Sequence, residues 1–228
     1  MTPRSLGVLM LDTRFPRVVG DVGNPATFAF PVRYVVVEGA SPQRVVLGGD
    51  RSLLAPFIEA ARRLADEGVA AITTSCGFLV LFQDEMQSAV DVPVWTSSLL
   101  DVAGIEAGLP AGRRVGIVTV DADSLGPRHL VAAGAPLDTP TEGLARDSSF
   151  RRTLLGNEAD LDTAAACDAT VAAARRLVEW YPQVAAIVLE CTNMPPYADA
   201  VRAATGLPVH DLTTSIAARF AALAKEPA

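Results

Sequence analysis

AAITTSCGFLV, Ala70 to Val80, decides the reading of this chain, because the chain writes a second version of it, AAIVLECTNMP, at Ala185 to Pro195. Setting each residue against the one 115 positions later pairs Ala71 with Ala186, Ile72 with Ile187 and Cys76 with Cys191. The register holds without a gap to Pro93 and Pro208, each inside a V/L-P-V phrase before a Thr/Ser-rich run. A short apolar run, a polar turn and then a helical stretch read as strand, loop and helix. Each cysteine therefore falls at the carboxyl end of a strand, just before a helix begins.

Other segments repeat in the same order. RVGIVTVD (Arg114 to Asp121) echoes SLGVLMLD (Ser5 to Asp12), and Ala174-Arg175-Arg176-Leu177 echoes Ala61-Arg62-Arg63-Leu64. Runs apolar throughout, such as Leu6 to Leu11, suit parallel strands buried on both faces, and strands alternating with helices imply parallel sheets. The expected fold is α/β: two pseudo-symmetric lobes with mainly parallel sheets and the active site in the cleft between them. Residues 1–105 plus 210–228 are expected to form the first lobe and 106–209 the second, with a last helix, Thr213 to Lys225, packing back on the first. Tyr34 to Val37 and Arg44 to Leu47 read as short extended runs. Pro56 to Glu67, a stretch near Val80 to Ala89, and Leu161 to Trp180 read as helices. Between Asp123 and Asp160 the Pro-, Gly- and Asp-rich sequence gives no clear element.

Composition narrows the function. The net charge of −7 and pI near 4.8 argue against nucleic acid or an anionic membrane as partner. No apolar run approaches the ~18 residues of a membrane span. Three cysteines in 228 residues make no disulfide framework, so reduced thiols and a cytoplasmic location are expected. Gly48-Gly49-Asp50 lacks the G-x-G-x-x-G context of a dinucleotide site, and His129 and His210 stand outside any metal-ligand spacing. No cofactor is expected.

A lone cysteine is usually core filler; two at equivalent positions of a duplicated α/β fold, beyond strand ends where ligands bind, point to a site. A helix N-terminus favours thiolate. Around them Ser75, Gly77, Thr192 and Asn193 offer backbone, hydroxyl and amide donors to a carboxylate or enolate, the same donors that cap helices and close turns. Thr119 is a weaker candidate on the same logic. Glu190 either orients Cys191 and shifts its pKa or is a solvated edge charge. Arg14 and Arg33 flank a loop, residues 15–33, that reads as a flap carrying Phe15, Phe28 and Phe30; the two arginines either clamp a carboxylate bidentately or are ordinary surface charges.

The two cysteine segments, the opening GVLMLD and the duplicated layout resemble the aspartate/glutamate/hydantoin racemase superfamily over nearly the whole chain. ECTNMP is similar to the family's G-C-T phrase at the second cysteine; Cys76-Gly77-Phe78 stands where the family commonly has C-N-T. Asp12-Thr13 matches the family's Asp-Ser pair after the first strand, where the acid assists the first cysteine. Asn193 replaces the histidine of glutamate racemases. The resemblance implies a cofactor-independent isomerase, without pyridoxal phosphate, in which Cys76 and Cys191 invert a carbon alpha to a carboxyl or carbonyl group by two-base proton transfer. The substrate would be an amino acid or related compound, a small carboxylate or hydantoin-like molecule, and the three phenylalanines lean towards one with an apolar end. Two alternatives stand beside it: a decarboxylase or cis–trans isomerase of the same fold using one cysteine and an oxyanion pocket, and a non-enzymatic protein closing on a small acid. A homodimer or higher homo-oligomer is expected.

Overall fold

Six consecutive buried apolar residues, Leu6–Leu11, form strand β1 at the centre of the first sheet. The computed structural model describes residues 4–223. Strands β2 (Val32–Val37), β3 (Ala71–Thr74) and β4 (Val94–Trp95) join β1 in the order β2-β1-β3-β4. A second sheet repeats that order with β5 (Arg114–Thr119), β6 (Thr141–Gly143), β7 (Val184–Leu189) and β8 (Val209–Asp211), as β6-β5-β7-β8. Every strand pairing in both sheets is parallel. The expected pair of α/β lobes is the fold.

The duplication extends to single hydrogen bonds. The N–H of Ile72 donates to Pro93 O at 2.8 Å, and that of Ile187 to Pro208 O at 2.9 Å. One step beyond the strands, Ser75 N donates to Leu9 O at 2.9 Å and Glu190 N to Val118 O at 2.8 Å. The chain therefore leaves both sheets in the same way, and Cys76 and Cys191 occupy the same place in each lobe. Helix packing repeats too. A Cβ on Gly7 would stand 2.9 Å from Leu64 Cδ1, and one on Gly116 2.7 Å from Leu177 Cδ2. Leu64 lies on helix α1 (Leu54–Asp66) and Leu177 on α6 (Thr163–Trp180), the two helices that carry the repeated Ala-Arg-Arg-Leu phrase. Both bury one apolar face, and Asp162 caps α6 by accepting from Ala165 N at 3.0 Å.

Three local expectations change. Arg44 to Leu47 is helical, part of a single π-helical turn over Gln43–Leu47 in which Gly48 N donates to Gln43 O, five residues back, at 2.9 Å. Val45 and Val46 gave it a strand-like look but are buried on the inner side of that turn. After Cys76 the chain makes a 3-10 turn, Gly77–Phe82, before helix α2 (Gln83–Ser88). The segment that gave no clear element holds α4 (Pro127–Ala133), β6 and α5 (Ser149–Gly156), while α3 (Val102–Ala107) and α7 (Ala198–Thr205) precede β5 and β8. The final helix α8 is Leu212–Leu223; its expected end at Lys225 lies outside the described residues. Leu212, Ile216 and Phe220 on α8 share a buried cluster with Leu6, Val8 and Met10 of β1.

Candidate active site

Where the carboxyl ends of the two sheets face each other, a cavity of about 370 Å³, its mouth included, is lined by both Cys76 and Cys191. Each cysteine is buried, with 8% of its surface exposed. Apolar side chains from both lobes, among them Leu11, Phe15, Val46 and Leu154, make up much of the wall. The polar lining is short: Arg17, Ser75, Glu190, Thr192 and Asn193.

Cys76 stands at the N-cap of the 3-10 turn with extended backbone, φ −155°. Burial first, and then the nearby Glu190 charge, push its thiol up to about 12, while the backbone N–H groups of Phe78 and Leu79 pull the other way. Cys191 is raised well above its ordinary value by burial, then by Glu190, with the backbone N–H of Asn193 opposing. Its Sγ donates to Asn193 Oδ1 at 3.6 Å. Both cysteines thus rest as thiols. Glu190 is itself 1% exposed, and burial lifts its carboxyl to about 7 against the hydrogen bond from Thr119. Thr119 Oγ1 donates to Glu190 Oε2 at 2.7 Å, and among the described residues Glu190 Oε1 has no partner. Gly77 makes the approach possible: a Cβ there would fall 2.3 Å from Glu190 Oε1.

The other expected residues divide. Ser75 and Thr192 line the cavity but spend their hydroxyls on the scaffold. Ser75 Oγ accepts from Leu11 N at 2.9 Å, and Thr192 Oγ1 donates to Ser75 O at 2.6 Å, tying one lobe to the other. Thr119 lies behind Glu190 rather than on the wall. Asn193 bridges: its Oδ1 meets Cys191 and its Nδ2 donates to Asp21. Asp12 is a correction. It is exposed and accepts from Gly39 N at 3.2 Å, turned away from the cavity by the loop after β2, so it does not reach Cys76. Thr13 instead receives a bond from Arg17 Nη2 at 3.2 Å.

Arg17 is the residue that sequence reasoning missed. Of the arginines near the flap, Arg14 is exposed and Arg33 pairs with Glu67 at 3.2 Å on the surface. Arg17 enters the cavity, stacks over Phe15 at 5.0 Å and pairs with buried Asp21 at 3.0 Å. Its Nε is buried and has no partner among the described residues. The flap phenylalanines also part company. Phe15 lines the cavity, whereas Phe28 stacks on Phe30 at 5.1 Å and Phe30 on Phe220 of α8 at 4.1 Å. The apolar end expected of the substrate therefore finds Phe15 alone of the three. His129 is buried against Phe78 at 5.1 Å, and burial lowers its pKa to about 4; His210 and Cys167 lie off the cavity. Among the described residues no group of three His, Cys, Asp or Glu side chains is placed to hold a metal, and no helix is long and apolar enough to cross a membrane.

A family model described as Asp/Glu/Hydantoin racemase matches residues 49–221. The chain belongs to that family. Solved members of the fold agree: unliganded arylmalonate decarboxylase superposes with a TM-score of 0.63 at 20% identity, covering 99% of this chain and 94% of that one. Aspartate racemase of Picrophilus torridus gives 0.59 at 13% identity, covering 99% and 96%. Relatives found by sequence are nearer. Dimethylsulfoniopropionate lyase 7 of Emiliania huxleyi is 35% identical across 98% of this chain and 68% of its own length. Dimethylsulfoniopropionate lyase of Durusdinium sp. clade D is 34% identical across 92% and 72%. These relatives are lyases by name, which overturns the expectation of an isomerase: family membership holds, and the reaction class attached to it does not.

Proposed function

We propose that this protein is a lyase that eliminates a sulfide from a β-sulfonio carboxylate of the dimethylsulfoniopropionate type. The observation that carries the reading is the identity of 35% and 34% to dimethylsulfoniopropionate lyases over 98% and 92% of the chain. The cavity supports it with the parts an elimination needs.

The substrate's acidic hydrogen sits on the carbon next to its carboxylate, and its sulfonium sits one carbon further on. One of Cys76 and Cys191, ionised, removes that proton. The C–H electron pair becomes the Cα–Cβ double bond, and the Cβ–S bond breaks with its pair going to sulfur. The products are acrylate, neutral dimethyl sulfide and a protonated thiol, so atoms and charge balance. A single base suffices, because no proton is returned to carbon. The free Nε–H of Arg17 and the backbone donors beside Thr192 and Asn193 are the groups available to a carboxylate whose negative charge grows as the α-proton leaves. A cationic substrate also helps its own base. Burial and the Glu190 charge hold both thiols protonated, and a positive charge entering the same cavity reverses that influence.

The test is a substrate panel with the purified protein: dimethylsulfoniopropionate, an arylmalonate, glutamate and aspartate. The reading expects dimethyl sulfide in the headspace from the first and no turnover of the others. Racemisation of an amino acid or loss of carbon dioxide from the arylmalonate, without sulfide release, would refute it.

A further inference from the structure

The duplication is broken at one polar position of the cavity wall. Ser75 in the first lobe corresponds to Glu190 in the second; both follow the strand and make the equivalent backbone bond. Ser75 turns its hydroxyl into the scaffold. Glu190 brings a carboxylate into a buried cavity, a placement that costs free energy unless a counter-charge is present for part of the protein's working cycle.

Most polar side-chain atoms on the wall are accounted for. Thr192 is bonded to Ser75 O and Asn193 to Cys191 and Asp21, and the two Nη atoms of Arg17 are bonded to Asp21 and Thr13. On this wall two ionic atoms are buried without a partner among the described residues, Arg17 Nε and Glu190 Oε1. Their situations differ. The charge of Arg17 is already met by Asp21 at 3.0 Å, leaving an N–H donor but little net charge. Among the described residues the carboxylate of Glu190 is met only by the Thr119 hydroxyl. The uncompensated charge of the cavity is therefore negative, and it sits beside both thiols.

We propose that the cavity is shaped for a zwitterion, with Glu190 Oε1 facing an onium group and Arg17 Nε–H a carboxylate. The inference rests on the lyase reading for its substrate class and assigns Glu190 as the residue that selects onium substrates over neutral ones. An onium centre bearing methyl groups offers no N–H, so it asks for a bare negative charge among apolar walls. Glu190, with Leu11, Phe15, Val46 and Leu154 around the cavity, supplies that combination.

The experiment measures binding and needs no turnover. By calorimetry at pH 8, 3-(trimethylammonio)propionate is compared with its carbon isostere 4,4-dimethylpentanoate, which has the same shape without the positive charge. Wild type is expected to bind the onium probe at least tenfold more tightly. Glu190→Gln, which keeps the size and the Thr119 contact, is expected to bring that ratio to within about twofold of unity and leave binding of the isostere unchanged. A wild type that binds neither probe or shows no preference, or a Gln variant that keeps the preference, would overturn the proposal. A second arm uses wild type alone. The groups facing Glu190 are Cys76, Cys191 and the Arg17–Asp21 pair. The onium preference should fall on going from pH 8 to pH 5.5, as the carboxyl that burial has raised to about 7 takes up its proton; a constant ratio would contradict it. Onium preference without dimethyl sulfide release removes the lyase reading and sustains this one. Sulfide release with a preference that ignores Glu190 does the reverse.

Discussion

Arg17 differs from the arginines on either side of it only in where the fold sends it. Nothing in its neighbours in sequence marks it; Phe15, Asp21 and Thr13 do so together in space. Lysine at this position would keep a charge for Asp21 and lose the Nε donor and the planar fork. Arg17→Lys is therefore expected to raise KM for dimethylsulfoniopropionate by about tenfold or more, the loss of a hydrogen bond to a charged group, with kcat reduced less. An unchanged KM would remove Arg17 from substrate binding. The cysteines, by contrast, were legible from their spacing, but their roles were not, because a proton-abstracting pair and a single base with a neighbouring thiol have the same sequence. Cys76→Ser and Cys191→Ser separate them. Elimination by one base predicts that one variant loses activity by orders of magnitude while the other keeps a measurable fraction, since serine is a far weaker acid than a thiol. Equal and complete loss in both would favour a step that uses both sulfurs.

At the scale of elements, the repeated phrases made the two sheets readable, down to the pairing of Pro93 with Pro208. Periodicity identifies a strand or helix from within, which is why β1, β3, β7 and α6 matched expectation to within a few residues. It does not say what an irregular loop packs against. The flap was legible as a loop, yet Phe28 and Phe30 face α8, an element nearly 190 positions further along the chain. They staple the loop to its own lobe and leave Phe15 and Arg17 at the cavity. Phe28→Ala is expected to cost about 3 kcal/mol of stability, at the low end for a buried Phe-to-Ala change, visible as a lowered denaturation midpoint. With the protein kept folded at low temperature, kcat/KM should stay within about threefold. A large loss of kcat/KM without a change in stability would place Phe28 in the site after all.

For the molecule as a whole, Glu190 links the cavity to stability. Its pKa lies at about 7 in the folded protein, raised by burial above the ordinary value of 4.5. Between those values the folded state holds a proton that the unfolded state has released, so this group's contribution to stability is full below 4.5 and is lost as pH rises through 7. Glu190→Gln carries no such proton. The variant should match wild type in thermal midpoint near pH 5 and exceed it near pH 8, where wild type keeps a buried charge without a counter-ion. An equal difference at both pH values would mean that Glu190 is already ionised across the range.

The central claim, elimination rather than inversion, is tested most directly by proton NMR of dimethylsulfoniopropionate turning over in deuterated water. The account predicts acrylate and dimethyl sulfide appearing in equal amounts as the substrate disappears. A substrate that gains deuterium at its α-carbon while its C–S bond stays intact would contradict it.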